Sequence, residues 1–89
     1  MIRLTVRCQT SQESILQIDG WVSGRGVAIL EREGTRLLGE SRRLVLDLKG
    51  VRFIDGAGIA LLERWSGDRL VLRNGRPFVQ LLLETHGLA

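Results

Sequence analysis

The feature that most constrains this sequence is an apolar run of strand length that leads directly into the start of a helix. Residues 44–48, LVLDL, contain one polar side chain, Asp47, and such a run is typical of a strand covered on both faces of a sheet. Asp55 then stands where a helix N-cap is expected, ahead of the glycine-rich segment 56–58. Apolar side chains at positions 59, 61, 62 and 65 give that helix one buried side. A buried strand followed by an amphipathic helix indicates a layered α/β fold.

Two strands and a helix are predicted ahead of this segment. Residues 3–8 and 14–22 alternate apolar and polar side chains on either side of a polar turn, which predicts an antiparallel hairpin. Residues 23–26 break that pattern and open a helix with one apolar stripe. The stripe consists of Val27, Leu30, Gly34, Leu37 and Leu38. Because glycine costs a helix interior about 1 kcal/mol relative to alanine, Gly34 predicts close packing on the sheet.

A last strand and a last helix complete the predicted order. Residues 70–72 predict another short buried strand, and the segment 74–76 turns the chain into Pro77, a residue suited to the first turn of a helix. On this helix, which ends at Gly87, one face carries Phe78, Leu81, Leu82 and Thr85. The order ββαβαβα predicts parallel strand pairs joined by right-handed crossovers, in a single α/β domain over residues 1–89.

The charge pattern argues against a nucleic-acid partner. The chain carries 13 Lys and Arg against 10 Asp and Glu, a formal net charge of +3. The arginines are scattered among acids, and only Arg42 and Arg43 are adjacent. With two Trp, two Phe and no Tyr, the sequence lacks the side chains of a base-stacking platform. A solvated, arginine-rich surface explains the composition better than nucleic-acid binding.

The sequence contains no complete catalytic or cofactor-binding motif. The single Cys8 and single His86 exclude an internal disulfide and a four-ligand zinc site, and no glycine-rich loop continues to a phosphate-binding lysine. Asp47 and Asp55 form a candidate carboxylate pair, but so short a chain has little room for a substrate cleft. We therefore expect no enzymatic activity and no cofactor. No apolar run approaches the ~20 residues that span a bilayer, so we expect a cytoplasmic protein without membrane insertion.

The central segment resembles a known family signature. Residues 44–62, LVLDLKGVRFIDGAGIALL, are similar to the central motif of STAS domains, the family named for sulfate transporters and anti-sigma-factor antagonists, whose usual pattern is LVLDLSGVxFIDSSGLxxLL. Residues 69–72, 77–79 and 81–88 resemble the last strand and helix of that family, so the resemblance extends from about residue 17 to 88. It implies a STAS-like mixed sheet with helices packed largely on one face.

The resemblance also implies a function, a non-enzymatic module that binds a protein partner. In bacterial STAS proteins the partner is commonly an anti-sigma-factor kinase, which phosphorylates a serine in the turn and so switches partners in transcription regulation. The implied partner-binding residues here are Asp55, Gly56, Ala57, Gly58 and Ile59. Ala57 occupies the position of the usual phosphoserine and has no hydroxyl.

Two roles accommodate this departure from the family pattern. The first is an anti-sigma-factor antagonist that phosphorylation of this turn does not control. The second is a small cytoplasmic STAS subunit of a membrane lipid ABC transporter, whose partners are the other transporter subunits. The antagonist is the commoner role of a lone STAS domain, and it is the role that we favour from the sequence.

Overall fold

The computed structural model describes residues 1–88, which form four strands and three helices. The elements are β1 (Ile2–Gln9), β2 (Glu13–Val22), α1 (Arg25–Glu40), β3 (Arg43–Ile54), α2 (Gly56–Trp65), β4 (Leu70–Arg73) and α3 (Pro77–Thr85). Their order, ββαβαβα, confirms the order predicted from the sequence.

The strands form one mixed sheet in the order β1-β2-β3-β4. β1 and β2 pair antiparallel, from Ile2 opposite Gly20 to Gln9 opposite Ser14, as the predicted hairpin requires. β2, β3 and β4 are parallel neighbours, and α1 and α2 are the crossovers between them. The carboxyl ends of β2 and β3 therefore lie at the same edge of the sheet, where both helices begin.

The core fills one face of the sheet, where the helices pack. Leu16 and Ile18 of β2 alternate with more exposed residues, and they are buried together with residues of all three helices. The helix residues buried in this cluster are Leu30, Leu37, Ile59, Leu61, Leu62, Val79 and Leu83. On the opposite face Val45 is fully buried between Ile15 and Val71, its neighbours in register. Within residues 44–48, the segment predicted to be covered on both faces, β3 is thus buried on both faces at Val45, although the helices cover only one.

Gly34 is tightly packed, but its neighbour is a helix and not the sheet that the sequence suggested. A Cβ atom at this position would lie 2.2 Å from Cη2 of Trp65, near the end of α2. The six-membered edge of the indole occupies the space that any larger residue at 34 would need. This contact sets how closely α1 and α2 approach each other.

Three details differ from the prediction. The strand predicted over residues 44–48 continues to Ile54, because residues 50–54 also pair with β2 across two register irregularities. β4 is half-buried and not buried, since it is an edge strand with a neighbour on one side only. On α3 the core receives Val79 and Leu83, whereas Phe78 and Leu81 are 60% and 63% exposed. Apolar residues lie on most sides of α3, so their spacing in the sequence does not show which side packs against the core.

Candidate functional site

The predicted site is the turn between β3 and α2, and a single carboxylate organises it. Oδ1 of Asp55 accepts a hydrogen bond from the backbone N–H of Gly58 at 2.8 Å, which confirms the predicted N-cap of α2. Oδ2 accepts from the backbone N–H of Gly24 at 3.1 Å. Gly24 has φ of +55°, a left-handed conformation that favours glycine, and it precedes α1. Asp55 therefore fixes the starts of both helices against each other.

The backbone of the turn is also held by the sheet. The N–H of Asp55 donates to the carbonyl of Val22 at 3.0 Å, so the end of β3 is bonded to the end of β2. A Cβ atom at Gly58 would lie 2.8 Å from Cγ2 of Ile54 and 3.0 Å from Val22. Only glycine fits at position 58 without displacing these buried neighbours. The turn is consequently a rigid platform with its inner side filled.

The five predicted site residues fall into two groups. Gly56 and Ala57 are exposed, whereas Gly58 and Ile59 are buried and Asp55 is half-buried. A Cβ atom at Gly56 would have no neighbour within 4 Å, so the space in front of the turn is open. Asp55, Gly58 and Ile59 shape the turn from within, and the atoms presented to solvent belong to Gly56 and Ala57.

An exposed aromatic pair beside the turn was missed by the sequence reasoning. Trp21 and Phe53 are partners in the β2–β3 register, their ring centroids are 5.6 Å apart, and the ring planes are inclined by 55°. They are 52% and 37% exposed, on the face of the sheet opposite the helices, because Val22 and Ile54 point into the core. We call these two residues the aromatic patch. The sequence did contain one signal for this pair, because an aromatic residue lies near the end of segment 14–22 and another lies just before Asp55.

The other chemical candidates do not assemble into a site. Asp47 lies within β3, where it accepts from the N–H of Lys49 at 3.0 Å, so it does not join Asp55 beyond the strand end. Cys8 is half-buried in β1, and Nδ1 of His86 lies 3.6 Å from a carboxylate oxygen of Glu63. Within residues 1–88, no three His, Cys, Asp or Glu side chains are grouped as metal ligands would be. No helix in that range has the length and apolar character needed to cross a bilayer.

The clearest electrostatic perturbation lies away from the turn. On α1, Arg36 donates two hydrogen bonds to the carboxylate of Glu33, at 2.9 and 3.0 Å. These bonds lower the pKa of Glu33 and raise that of Arg36. Both side chains are on the surface, so the pair supports the helix and does not suggest acid–base chemistry.

Comparison with known proteins identifies the family. A family model described as "Mlab, STAS domain" matches residues 6–89, and the chain therefore belongs to the STAS domain family. No curated protein matches the sequence significantly.

Solved structures have the same fold at low sequence identity. The anti-sigma factor antagonist SpoIIAA, in its unphosphorylated form, matches with a TM-score of 0.79 and 17% identity, over 97% of this chain and 82% of its own. An anti-sigma factor antagonist from Mycobacterium paratuberculosis matches with a TM-score of 0.75 and 22% identity, over 99% and 80% of the two chains. An antisigma-factor antagonist STAS domain from Rhodobacter sphaeroides matches with a TM-score of 0.61 and 16% identity, over 82% and 86%.

Proposed function

We propose that this STAS domain is a non-enzymatic regulatory module that binds a protein partner in the manner of an anti-sigma-factor antagonist. The observation that carries the proposal is the turn itself, in which Asp55 holds two helix starts while Gly56 and Ala57 face solvent. A rigid backbone with small exposed side chains allows a partner to approach closely. The fold shared with anti-sigma factor antagonists supports the same role.

The proposed module lacks the usual switch. In the STAS proteins that this sequence resembles, a phosphate on the turn serine adds nearly two negative charges to the docking surface. Gly56 and Ala57 have no hydroxyl to accept it. We therefore expect a partner kinase with ATP to leave the turn unmodified. Intact-mass spectrometry checks this, because a phosphate on the turn would increase the mass of the protein and contradict the expectation.

We place the module in the bacterial cytoplasm, where it acts in transcription regulation through an anti-sigma-factor kinase-like partner.

A second candidate is favoured by the same missing hydroxyl. A permanent subunit of a membrane lipid ABC transporter needs no partner switching, so Gly56 and Ala57 would be natural in its turn. The two candidates differ in the partner that copurifies with the tagged protein from its native host. An anti-sigma-factor kinase supports the first candidate, and a permease with its ATPase supports the second.

The test of the docking surface is Ala57→Glu. The new side chain places bulk and negative charge at the exposed turn, and partner binding should weaken by at least about 2 kcal/mol, roughly thirtyfold. Folding should be preserved, since an acid in the first helical turn interacts favourably with the helix dipole by about 0.3–1 kcal/mol. Titration calorimetry with the copurified partner gives the affinity, and thermal melting of the same samples checks the fold.

The matched control is Thr35→Glu, which adds the same charge at an exposed position in the middle of α1. It should leave the affinity unchanged. Equal affinity of the Ala57→Glu variant and the parent protein would contradict the proposal. A collapsed melting temperature would show instead that position 57 is needed for packing.

A further inference from the structure

The aromatic patch and the exposed turn both lie at the carboxyl ends of β2 and β3, and together they make one candidate binding surface. Phe53 precedes Asp55 by two residues, so at the rise of a strand their Cα atoms are roughly 7 Å apart. Trp21 immediately precedes Val22, and the carbonyl of Val22 accepts the hydrogen bond from the Asp55 N–H. Gly26, near the start of α1, packs against the carbonyl of Trp21. A partner at the turn is therefore close enough to contact the two rings as well.

Arginines surround this surface without carboxylate partners. Arg52 is the unpaired residue in the register irregularity beside Phe53, Arg25 is the first residue of α1, and Arg3 lies opposite Asp19 in the neighbouring strand. All three are exposed, and none forms an ion pair with another residue of the range 1–88.

The two acids nearby are already engaged. The Asp55 carboxylate accepts from the N–H groups of Gly24 and Gly58, and Asp19 accepts from the side-chain amide of Gln17 at 2.9 Å. Both oxygens of Asp55 are therefore occupied by N–H donors, and the three exposed arginines outnumber the two acids near the rings, so the net charge left to be complemented is positive. Exposed aromatic rings flanked by unpaired arginines have the composition of a binding hot spot.

We infer that this surface binds an acidic segment of the protein partner, which places an apolar side chain on Trp21 and Phe53 and its carboxylates on Arg3, Arg25 and Arg52. The inference rests on the proposed function and specifies the chemistry of the partner. Guanidinium groups pair with carboxylates in a bidentate manner, so they set the orientation of the segment while the rings provide the apolar contact. The two rings pack on each other at an angle, which does not provide a flat platform for successive bases.

The experiment selects short random displayed peptides on the immobilised protein. The enriched peptides should combine an aromatic or leucine side chain with several Asp or Glu residues. A synthetic peptide of the enriched sequence should shift the emission of Trp21 to shorter wavelength, because the half-exposed indole loses water. A Trp21→Phe variant, which retains only Trp65, should not show that shift.

Two double variants, each with a control, locate the peptide on the surface. Trp21→Ser with Phe53→Ser should weaken peptide binding about tenfold or more, whereas Phe78→Ser, at an exposed ring on α3, should not change it. The double variant Arg25→Glu with Arg52→Glu should weaken binding about tenfold. Its control, Arg32→Glu with Arg42→Glu, makes the same change of charge elsewhere on the exposed surface and should have little effect. Thermal melting of every variant identifies any that is unfolded, and the charge variants test the surface without removing packed rings.

Each outcome supports or overturns the inference. Enrichment of basic or neutral peptides overturns it, as does the absence of any enriched peptide or equal binding by the serine double variant. Tight binding of an oligothymidine that is lost in the same variants would show that the acidic ligand is a nucleic acid, which also overturns it. If Ala57→Glu abolishes binding of the native partner while the serine double variant retains it, this inference fails and the proposed function stands.

Discussion

Replacing Gly34 by alanine provides a direct test of the packing between α1 and α2. On helix propensity alone the change should stabilise the protein by about 1 kcal/mol, because Gly34 lies in the interior of a helix of 16 residues. The structure predicts the opposite sign. The new Cβ would lie 2.2, 2.8 and 2.9 Å from three ring atoms of Trp65, and all three distances are shorter than van der Waals contact.

The magnitude follows from the size of the overlap. To restore contact distances near 3.5 Å, the indole must retreat by roughly 1 Å or swing toward solvent, and forcing an extra methyl group into packed structure costs about 1–3 kcal/mol. The propensity gain of about 1 kcal/mol offsets part of that cost. We expect a net destabilisation of about 1 kcal/mol, which lowers the melting temperature of a domain of this size by roughly 4–8 °C.

The assay is thermal and urea unfolding followed by circular dichroism. Two control variants in the same helices are measured beside Gly34→Ala. Gly39→Ala changes a glycine of α1 that has no neighbour within 4 Å, and it should stabilise the protein by up to about 1 kcal/mol. In a Trp65→Leu background, where the ring is absent, Gly34→Ala should also become stabilising. Stabilisation by Gly34→Ala in the parent protein, or a cost that persists in the Trp65→Leu background, would refute the reasoning.

Two further predictions concern single carboxylates. Asp55→Ala should lower the free energy of unfolding by about 1–2 kcal/mol and accelerate hydrogen exchange at the amides of both Gly24 and Gly58, which lose the same acceptor; protection retained at both amides would contradict the assigned bonds. Glu33→Gln should cost a few tenths of a kcal/mol at neutral pH, because the exposed pair with Arg36 is screened by water. Arg36 lowers the pKa of Glu33, so this contribution is complete above the ordinary pKa of a glutamate and is lost as the pH falls through the lowered value. The unfolding free energies of parent and variant, measured from pH 7 to pH 3, should therefore converge at the acidic end.

The sequence predicted the fold wherever local pattern and chain order decide the structure. The N-cap at Asp55, the hairpin and the alternation of strands and helices all depend on local signals, and each is confirmed. The length of β3 depends instead on pairing with β2. Gly50 pairs with Asp19, and a Cβ atom at position 50 would lie 1.9 Å from the Asp19 carboxylate, so any larger residue would have to displace that side chain. Such a contact between distant residues leaves no periodic signal.

The position of the candidate turn was predictable from the sequence, but which of its residues are exposed was not. The resemblance to STAS domains indicated residues 55–59, and the structure separates them into exposed and buried members. The aromatic patch could not be derived, because the residues that form it are 32 positions apart and meet only through the register of two parallel strands. The neighbour of Gly34 was also beyond prediction, since whether a helical glycine faces a sheet or a second helix depends on how the helices are placed.

The construction of the turn has an evolutionary consequence. Its hydrogen bonds are made by the Asp55 carboxylate and by backbone groups, whereas Gly56 has no side chain and Ala57 is exposed. Exchanging Ala57 for serine, which requires a single base change in any alanine codon, alters helix propensity by only about half a kcal/mol. A lineage can therefore lose or regain a phosphate acceptor here with almost no selection from stability. Under the proposed function, the residue at position 57 then reflects how the protein is regulated and not how it folds.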